Sequence, residues 1–277
     1  DLFAISVTDV DGQRFSVGDV AADFTLMSVS KPFILALVCE ATDPERVRAR
    51  VGVNATGLPF NSVEAVERSP GGRTNPMVNS GAIATTALVP GATLEERWEF
   101  IVDGLSRFAG RDLVVDQEVL DSALATNGRN RAIAQLLATH GGLGGDPDEA
   151  VELYTRQCCL AIDIDGLSTM GATLANGGTN PVTGAAVVAP VVCHDVLAVM
   201  ATAGMYDTSG DWLWRVGLPG KSGISGGIIT VSPGKSGLGT FSPPLDTAGN
   251  SVRGKFVAEF LAAALGLDVF ATKPSSA

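Results

Sequence analysis

The sequence predicts an α+β protein in which both chain ends contribute strands to one sheet while the middle forms a mostly helical subdomain. Three observations carry this expectation. Residues 2–8 (LFAISVT) are β-rich at one end of the chain, and 226–232 and 237–242 are β-rich near the other. Between them, apolar residues recur at helical spacing and are punctuated by helix start signals. Strands and helices segregated along the chain in this way belong to α+β layouts.

In chain order, Asp11-Gly12 offers a tight turn from the first strand into Arg14-Phe15-Ser16-Val17, a hairpin signal. Phe33, Ile34, Leu37 and Val38 fall on one helical face over 31–40. Pro32 suits the first turn of that helix, where an amide has no intrahelical partner. Further helices are expected over 79–89, 93–108, 116–125, 129–139, 147–160 and 190–203. Thr93-Leu94-Glu95-Glu96 and Asp146-Pro147 start two of them. After Trp212 the pattern reads as strands at 213–217, 226–232 and 237–242, with Ser232-Pro233-Gly234 turning between the last two. An amphipathic helix over 249–265 follows, and 273–277 has the composition of a tail.

The chain has 277 residues, 45% hydrophobic and 18% charged, enough to bury a large core and unlike a disordered chain. Its net charge of −11, with no basic cluster, leaves no electrostatic footprint for nucleic acid. The longest apolar stretches, 33–39 and 185–193, are far shorter than the ~18–20 residues a membrane span needs. Cys39, Cys158, Cys159 and Cys193 form no Cys-x-x-Cys pair, and only His140 and His194 stand beside them, so no zinc site is expected. Scattered thiols fit a reducing compartment, and Asp1-Leu2-Phe3 begins without Met or a signal segment. The expectation is a cytoplasmic protein with residues missing upstream.

Four segments carry candidate chemistry. In Ser28-Val29-Ser30-Lys31, the serine lies three residues before the lysine at a helix start, so both side chains share one face. The lysine takes the serine's proton if burial or a positive neighbour lowers its pKa. Taken alone, the tetrapeptide reads at least as well as a helix cap at Ser28 or Ser30. Lys221-Ser222-Gly223 precedes the glycine-rich strand Gly226-Gly227-Ile228-Ile229, the kind of Lys-[ST]-Gly strand that accompanies serine-lysine acyl transfer. A second copy, Lys235-Ser236-Gly237, follows Pro233-Gly234 and reads as a solvated hairpin turn. Asn79 either opens the next helix or presents an amide to a polar substrate. Tyr206, in a break between elements, is either a core tyrosine or a proton shuttle.

These segments, with others, bring a resemblance into view. SVSKPF (28–33), GLPFNS (57–62), NPMVNSGAI (75–83), RNRAIA (129–134) and LYTRQC (153–158) are followed by MGATLANGG (170–178), GMYD (204–207), GLPGKSGISGGI (217–228) and SPPLDTAGNSVRG (242–254). In this order, from about residue 3 to 265, the chain closely resembles the serine-dependent glutaminases. Their fold is similar to that of serine β-lactamases and penicillin-binding proteins, with an antiparallel sheet. The Ser-Asp-Asn tripeptide of β-lactamases does not occur here. The resemblance implies one glutaminase domain over 1–277, with a sheet-bearing part at about 1–40 and 205–270 and a helical part at about 41–204. It implies hydrolysis of L-glutamine to L-glutamate and ammonia, no metal or organic cofactor, and a homodimer or homotetramer. It assigns Ser28 as nucleophile, Lys31 as general base and Tyr206 as proton relay. The backbone amides of Ser28 and Ile224 become the oxyanion hole, and Asn79, Asn130 and Tyr154 hold the substrate.

The chain departs from the family pattern twice. Ala123 stands seven residues before Asn130, where the family has a glutamate that binds the substrate's α-ammonium; Asp121 and Glu118 are the nearest substitutes on that helix. Breaking such a charge pair costs about 3–5 kcal/mol, equivalent to two orders of magnitude or more in affinity. The family also has a substrate-binding tyrosine upstream of the first strand, and this chain starts too late to show it. Two other readings stay open beside glutaminase: a β-lactamase- or peptidase-like serine hydrolase, and a weakened or non-catalytic glutaminase paralogue.

Overall fold

A computed structural model of the protein describes residues 2–272; the tail-like 273–277 lie outside the described residues. Strand β1 (Ala4–Asp9) alternates buried and half-buried positions and turns at Gly12, φ 85°, into β2 (Arg14–Gly18). A two-residue β3 (Phe24–Thr25) leads into a 3₁₀ turn, Met27–Ser30, and then α1 (Lys31–Ala41), with Pro32 in its first turn.

Side-chain caps start most of the helices that follow, each accepting a hydrogen bond from an amide that has no intrahelical partner. Asp43 caps α2 (Pro44–Val51) and Ser62 caps α3 (Val63–Arg68). After α4 (Asn79–Thr86), a reciprocal Thr93–Glu96 capping box opens α5 (Leu94–Ala109), which ends at Gly110 with φ 70°. Next come β4 (Val114–Val115), α6 (Gln117–Thr126) capped by Asp116, and α7 (Gly128–Thr139). Asp146 caps α8 (Pro147–Cys158), β5 (Leu160–Ile162) follows, and Asp163 caps α9 (Ile164–Ala175). The chain ends through α10 (Pro190–Ala203), α11 (Ser209–Val216), β6 (Gly220–Ser222), β7 (Gly227–Ser232), β8 (Ser236–Phe241) and α12 (Val252–Ala264).

Both ends of the chain share one antiparallel sheet, in the order β2-β1-β8-β7-β6. Helix α9 lies across one face, and glycines set the distance: a methyl group at Gly237 would sit 2.3 Å from the backbone of Ser168 and Ala172. That face joins the main apolar core with the middle helices. The opposite face carries a smaller core of Met205, Trp212, Val216, Leu218, Ile228 and Leu238 with Ala258 and Ala262 of α12. A second small sheet, β3-β5-β4, secures the entry to the 3₁₀ turn at Met27–Ser30.

Several expectations need correction. Residues 213–217 are not a strand: Trp212 and Val216, one helical turn apart, are buried, while Trp214 is 90% exposed. The Trp-x-Trp alternation imitates a strand, but burial follows the helical period. Helix α9 is not among the expected helices, although Ile164, Leu167, Met170 and Leu174 recur at helical spacing; its other face carries glycine, serine and threonine packed on the sheet rather than charges in solvent. Helices α2 and α3, each eight residues or shorter, were also unread. In the second Lys-Ser-Gly, Lys235 is exposed in the turn, whereas Ser236 and Gly237 are buried in β8.

Candidate active site

Ser28 lies in the 3₁₀ turn and Lys31 begins α1, so the two side chains meet one turn apart. The preceding Met27 holds φ 47°, a conformation a non-glycine residue keeps only when its surroundings enforce it. Lys31 Nζ is 3.0 Å from Ser28 Oγ and donates to Asn79 Oδ1 at 2.8 Å. The lysine is 1% exposed and the serine 8%. Burial lowers the Lys31 pKa to about 8, bringing the neutral amine within reach of ordinary conditions.

A second buried amine lies close by. Lys221, on β6, donates to the Ser222 carbonyl at 2.7 Å, and its Nζ lies 4.0 Å from the centroid of the Tyr206 ring. Burial, and then the charge of Lys31, pushes its pKa well below the usual lysine value. The charge of Lys31 thus disfavours a second ammonium at Lys221.

Tyr206 follows α10 with φ 58°, and its hydroxyl donates to the Ser222 carbonyl at 3.1 Å. The ring packs on Phe60, centroids 4.6 Å apart. Burial raises the phenol's pKa, and hydrogen bonding with Ser28 and Ser222 opposes that rise. Around Asn79 the polar groups form a chain. Tyr154 Oη donates to Asn79 Oδ1 at 3.1 Å, and Asn79 Nδ2 donates to Asn130 Oδ1 at 3.0 Å. Asn130 Nδ2 in turn donates to Asn127 Oδ1 at 2.7 Å. Burial holds the Tyr154 phenol well above its usual pKa, so it acts as a neutral donor.

Ile224 lies in the turn after β6, its side chain half exposed. Gly223 brings this strand against the 3₁₀ turn: a methyl there would lie 3.0 Å from the Leu26 carbonyl and 3.1 Å from Val29 Cγ2. Among the described residues no carbonyl accepts the Ile224 N–H. The Ser28 N–H stands at the start of its turn, where amides lack an intrahelical acceptor.

Asn127 is not singled out from sequence, although it lies beside a motif residue, and for Lys221 the sequence shows the motif but not the contact its side chain makes. The Lys221 side chain was read as part of a strand motif, and its place under Tyr206 depends on a residue 15 positions away in the chain. Asn127, three residues before Asn130, anchors it and donates to Thr155 Oγ1 at 2.5 Å. Ala123 is half-buried on α6. The substitutes do not converge on the site: Asp121 is exposed and accepts from Gln117 at 2.7 Å, and Glu118 is exposed. Among the described residues no group of three His, Cys, Asp or Glu side chains is arranged to hold a metal. All four cysteines are free and buried, and burial pushes Cys39, Cys159 and Cys193 up to about 12, leaving their thiols unreactive.

The glutaminase family model matches residues 1–270. This chain belongs to the glutaminase family. "Glutaminase 2" of Yersinia pestis is 60% identical over 274 residues, which cover 99% of this chain and 81% of that protein. A glutaminase of Brucella suis biovar 1 is 48% identical over 273 residues, 99% of this chain and 86% of the relative. Among solved structures, the probable glutaminase ybaS superimposes with a TM-score of 0.95 at 46% identity, covering 97% of this chain and 87% of that one. A Bacillus glutaminase crystallised in 4.3 M NaCl gives a TM-score of 0.93 at 32% identity, over 97% and 92% of the two chains. The glutaminase fold thus accounts for the antiparallel sheet, the α9 layer and the helical middle in one chain.

Proposed function

We propose that this glutaminase hydrolyses L-glutamine to L-glutamate and ammonia through an acyl-enzyme on Ser28. The observation that carries the mechanism is a buried Lys31 amine, its pKa lowered to about 8, 3.0 Å from Ser28 Oγ. Neutral Lys31 takes the hydroxyl proton as Oγ attacks the side-chain amide carbonyl. The N–H groups of Ser28 and Ile224 receive the oxyanion, and losing one such donor typically costs about 3 kcal/mol. Tyr206 passes a proton to the amide nitrogen, and the C–N bond breaks to release ammonia. Water then attacks the Ser28 ester and gives a proton to Tyr206, restoring its hydroxyl, and the C–Oγ bond breaks as Lys31 returns its proton to Oγ, releasing glutamate and the free enzyme.

Asn79, Asn130 and Tyr154 supply donors and acceptors for the charged end of the substrate as it leaves water. Ala123 leaves the α-ammonium without a carboxylate on that helix. Ala123→Glu is therefore expected to lower KM for glutamine about tenfold with kcat little changed, measured by steady-state ammonia release.

The chain is read as one glutaminase domain whose sheet draws on about 1–40 and 205–270 and whose helical part spans about 41–204. The family match over 1–270 and the sheet shared by both chain ends support that reading. Free buried thiols support a cytoplasmic location, and among the described residues no helix is long and apolar enough to cross a membrane. The family resemblance supports a homodimer or homotetramer, which light scattering of the purified protein tests. The functional reading is tested by ammonia release from L-glutamine, L-asparagine and a glutamine analogue lacking the α-amino group, beside Ser28→Ala. Turnover of glutamine that Ser28→Ala abolishes supports the mechanism, and turnover that survives the substitution rejects it. Hydrolysis of a chromogenic cephalosporin in place of glutamine indicates the β-lactamase-like alternative.

A further inference from the structure

Tyr206 holds a backbone conformation that bulky residues rarely adopt, φ 58°, so something around it must enforce that geometry. Ser209 Oγ donates to the Tyr206 carbonyl at 2.7 Å and accepts the Met205 N–H at 3.0 Å, and the turn is tied to the strand beneath it through Asn250, which is completely buried and lies in the loop between β8 and α12. Its Oδ1 accepts from Ser222 Oγ at 2.5 Å, and its Nδ2 donates to Thr208 Oγ1 at 3.0 Å. Ser222 is the residue whose carbonyl accepts the Tyr206 hydroxyl at 3.1 Å and the Lys221 amine at 2.7 Å. Thr208 lies in the same 3₁₀ turn as Tyr206 and donates to the Met205 carbonyl at 2.8 Å. One amide therefore ties the strand that receives the phenol to the turn that carries it.

The loop around Asn250 is itself held. Asp246 Oδ1 accepts the Asn250 N–H at 3.0 Å, the Asn250 carbonyl accepts the Asp246 N–H at 2.8 Å, and Lys255 pairs with Asp246. Its glycine lies against the working groups: a methyl at Gly249 would come within 3.9 Å of both Ile224 Cγ2 and Tyr206 Cε2. The buried amide thus spans rigid supports, as a precise proton-transfer geometry requires.

We infer that Asn250 is a positioning residue that holds the Tyr206 hydroxyl on the β6 strand by bridging Ser222 to Thr208, and so governs the proton-transfer steps of the reaction. The inference rests on the proton-relay role proposed for Tyr206. Asn250→Ala is expected to lower kcat for glutamine 10- to 100-fold with KM within threefold. In a Tyr206→Phe background the same change is expected to cost less than twofold more, because two residues acting through one group are not additive. Thr208→Val cuts the far end of the bridge at a half-buried position with little change in shape. It is expected to lower kcat 3- to 10-fold, and it carries the test if Asn250→Ala does not fold.

Folding of each variant is checked by thermal unfolding, with kcat and KM measured well below the melting temperature. The inference is overturned if Asn250→Ala, or Thr208→Val in its stead, leaves kcat within twofold. It is equally overturned if the loss falls on KM, or if it multiplies fully with that of Tyr206→Phe. A Tyr206→Phe enzyme with unchanged kcat instead sinks the relay role, and the inference with it. An impaired Tyr206→Phe beside an unimpaired Asn250→Ala sinks the inference alone.

Discussion

At the scale of single residues, the chemistry turns on which amine is neutral. In the proposed mechanism Lys31 must be unprotonated to accept the Ser28 proton, and burial lowers its pKa to about 8. The kcat/KM for glutamine is therefore expected to rise with pH along a limb with an apparent pKa near 8, set by Lys31. A pH-rate profile from 6 to 10 checks this, and a flat profile rejects it. The same burial costs stability. Below about pH 8 the folded protein carries a desolvated ammonium at full cost. Between about 8 and the ordinary lysine value of 10.5, the folded state sheds a proton that the unfolded chain keeps, so stability rises with pH across that window. Lys31→Met is expected to abolish activity yet stabilise the fold at pH 7 by about 1–3 kcal/mol, an advantage that shrinks toward pH 10. Denaturant titrations at the two pH values test the sign. Most of this site was legible in sequence, because Ser28, Lys31 and Lys221 sit in short motifs. The approach of Lys221 to Tyr206 was not, because it is made across a fold in the chain.

At the scale of elements, local signals and burial compete. The capping box at Thr93 and Glu96 was readable from four residues, and the helix starts where it predicts. Helix α5 packs on α1 through Leu37 against Gly104. Thr93→Ala is expected to cost about 1 kcal/mol and lower the melting temperature by a few degrees, with kcat and KM unchanged. Thermal unfolding beside an ammonia assay distinguishes this from any catalytic effect. Where glycine, serine and threonine replace charges on a helix's second face, as in α9, only contact with the sheet shows that both faces are buried. In α11 the stretch 213–217 reads as a strand from sequence, and the fold overrides that by burying Trp212 with Val216, one helical turn on.

At the scale of the whole molecule, the sheet closes the chain on itself, since β1 pairs with β8 from Ala4↔Phe241 to Asp9↔Ser236. Layer α9 can lie on this sheet only because Gly171 and Gly237 remove side chains at the crossing. Gly237→Ala drives a methyl group to 2.3 Å from the backbone of Ser168 and Ala172. It is expected to cost about 3 kcal/mol, an overpacking that backbone atoms cannot relieve cheaply. Gly210→Ala, in helix α11 with nothing within 4 Å, is expected to be neutral or slightly stabilising. Paired melting curves of the two variants test whether the crossing, rather than glycine content, sets stability.

The sequence by itself determined the α+β layout, most helix starts and the Ser-x-x-Lys motif, because caps, periodicity and short motifs are local properties of the chain. Only the tertiary structure decided that α11 is a helix, that α9 is a buried layer, that Lys221 lies under Tyr206, and that Asn250 joins Ser222 to Thr208. Each of these depends on residues distant in the chain meeting inside a close-packed interior. There, desolvation and steric fit outweigh the local preferences that a sequence displays.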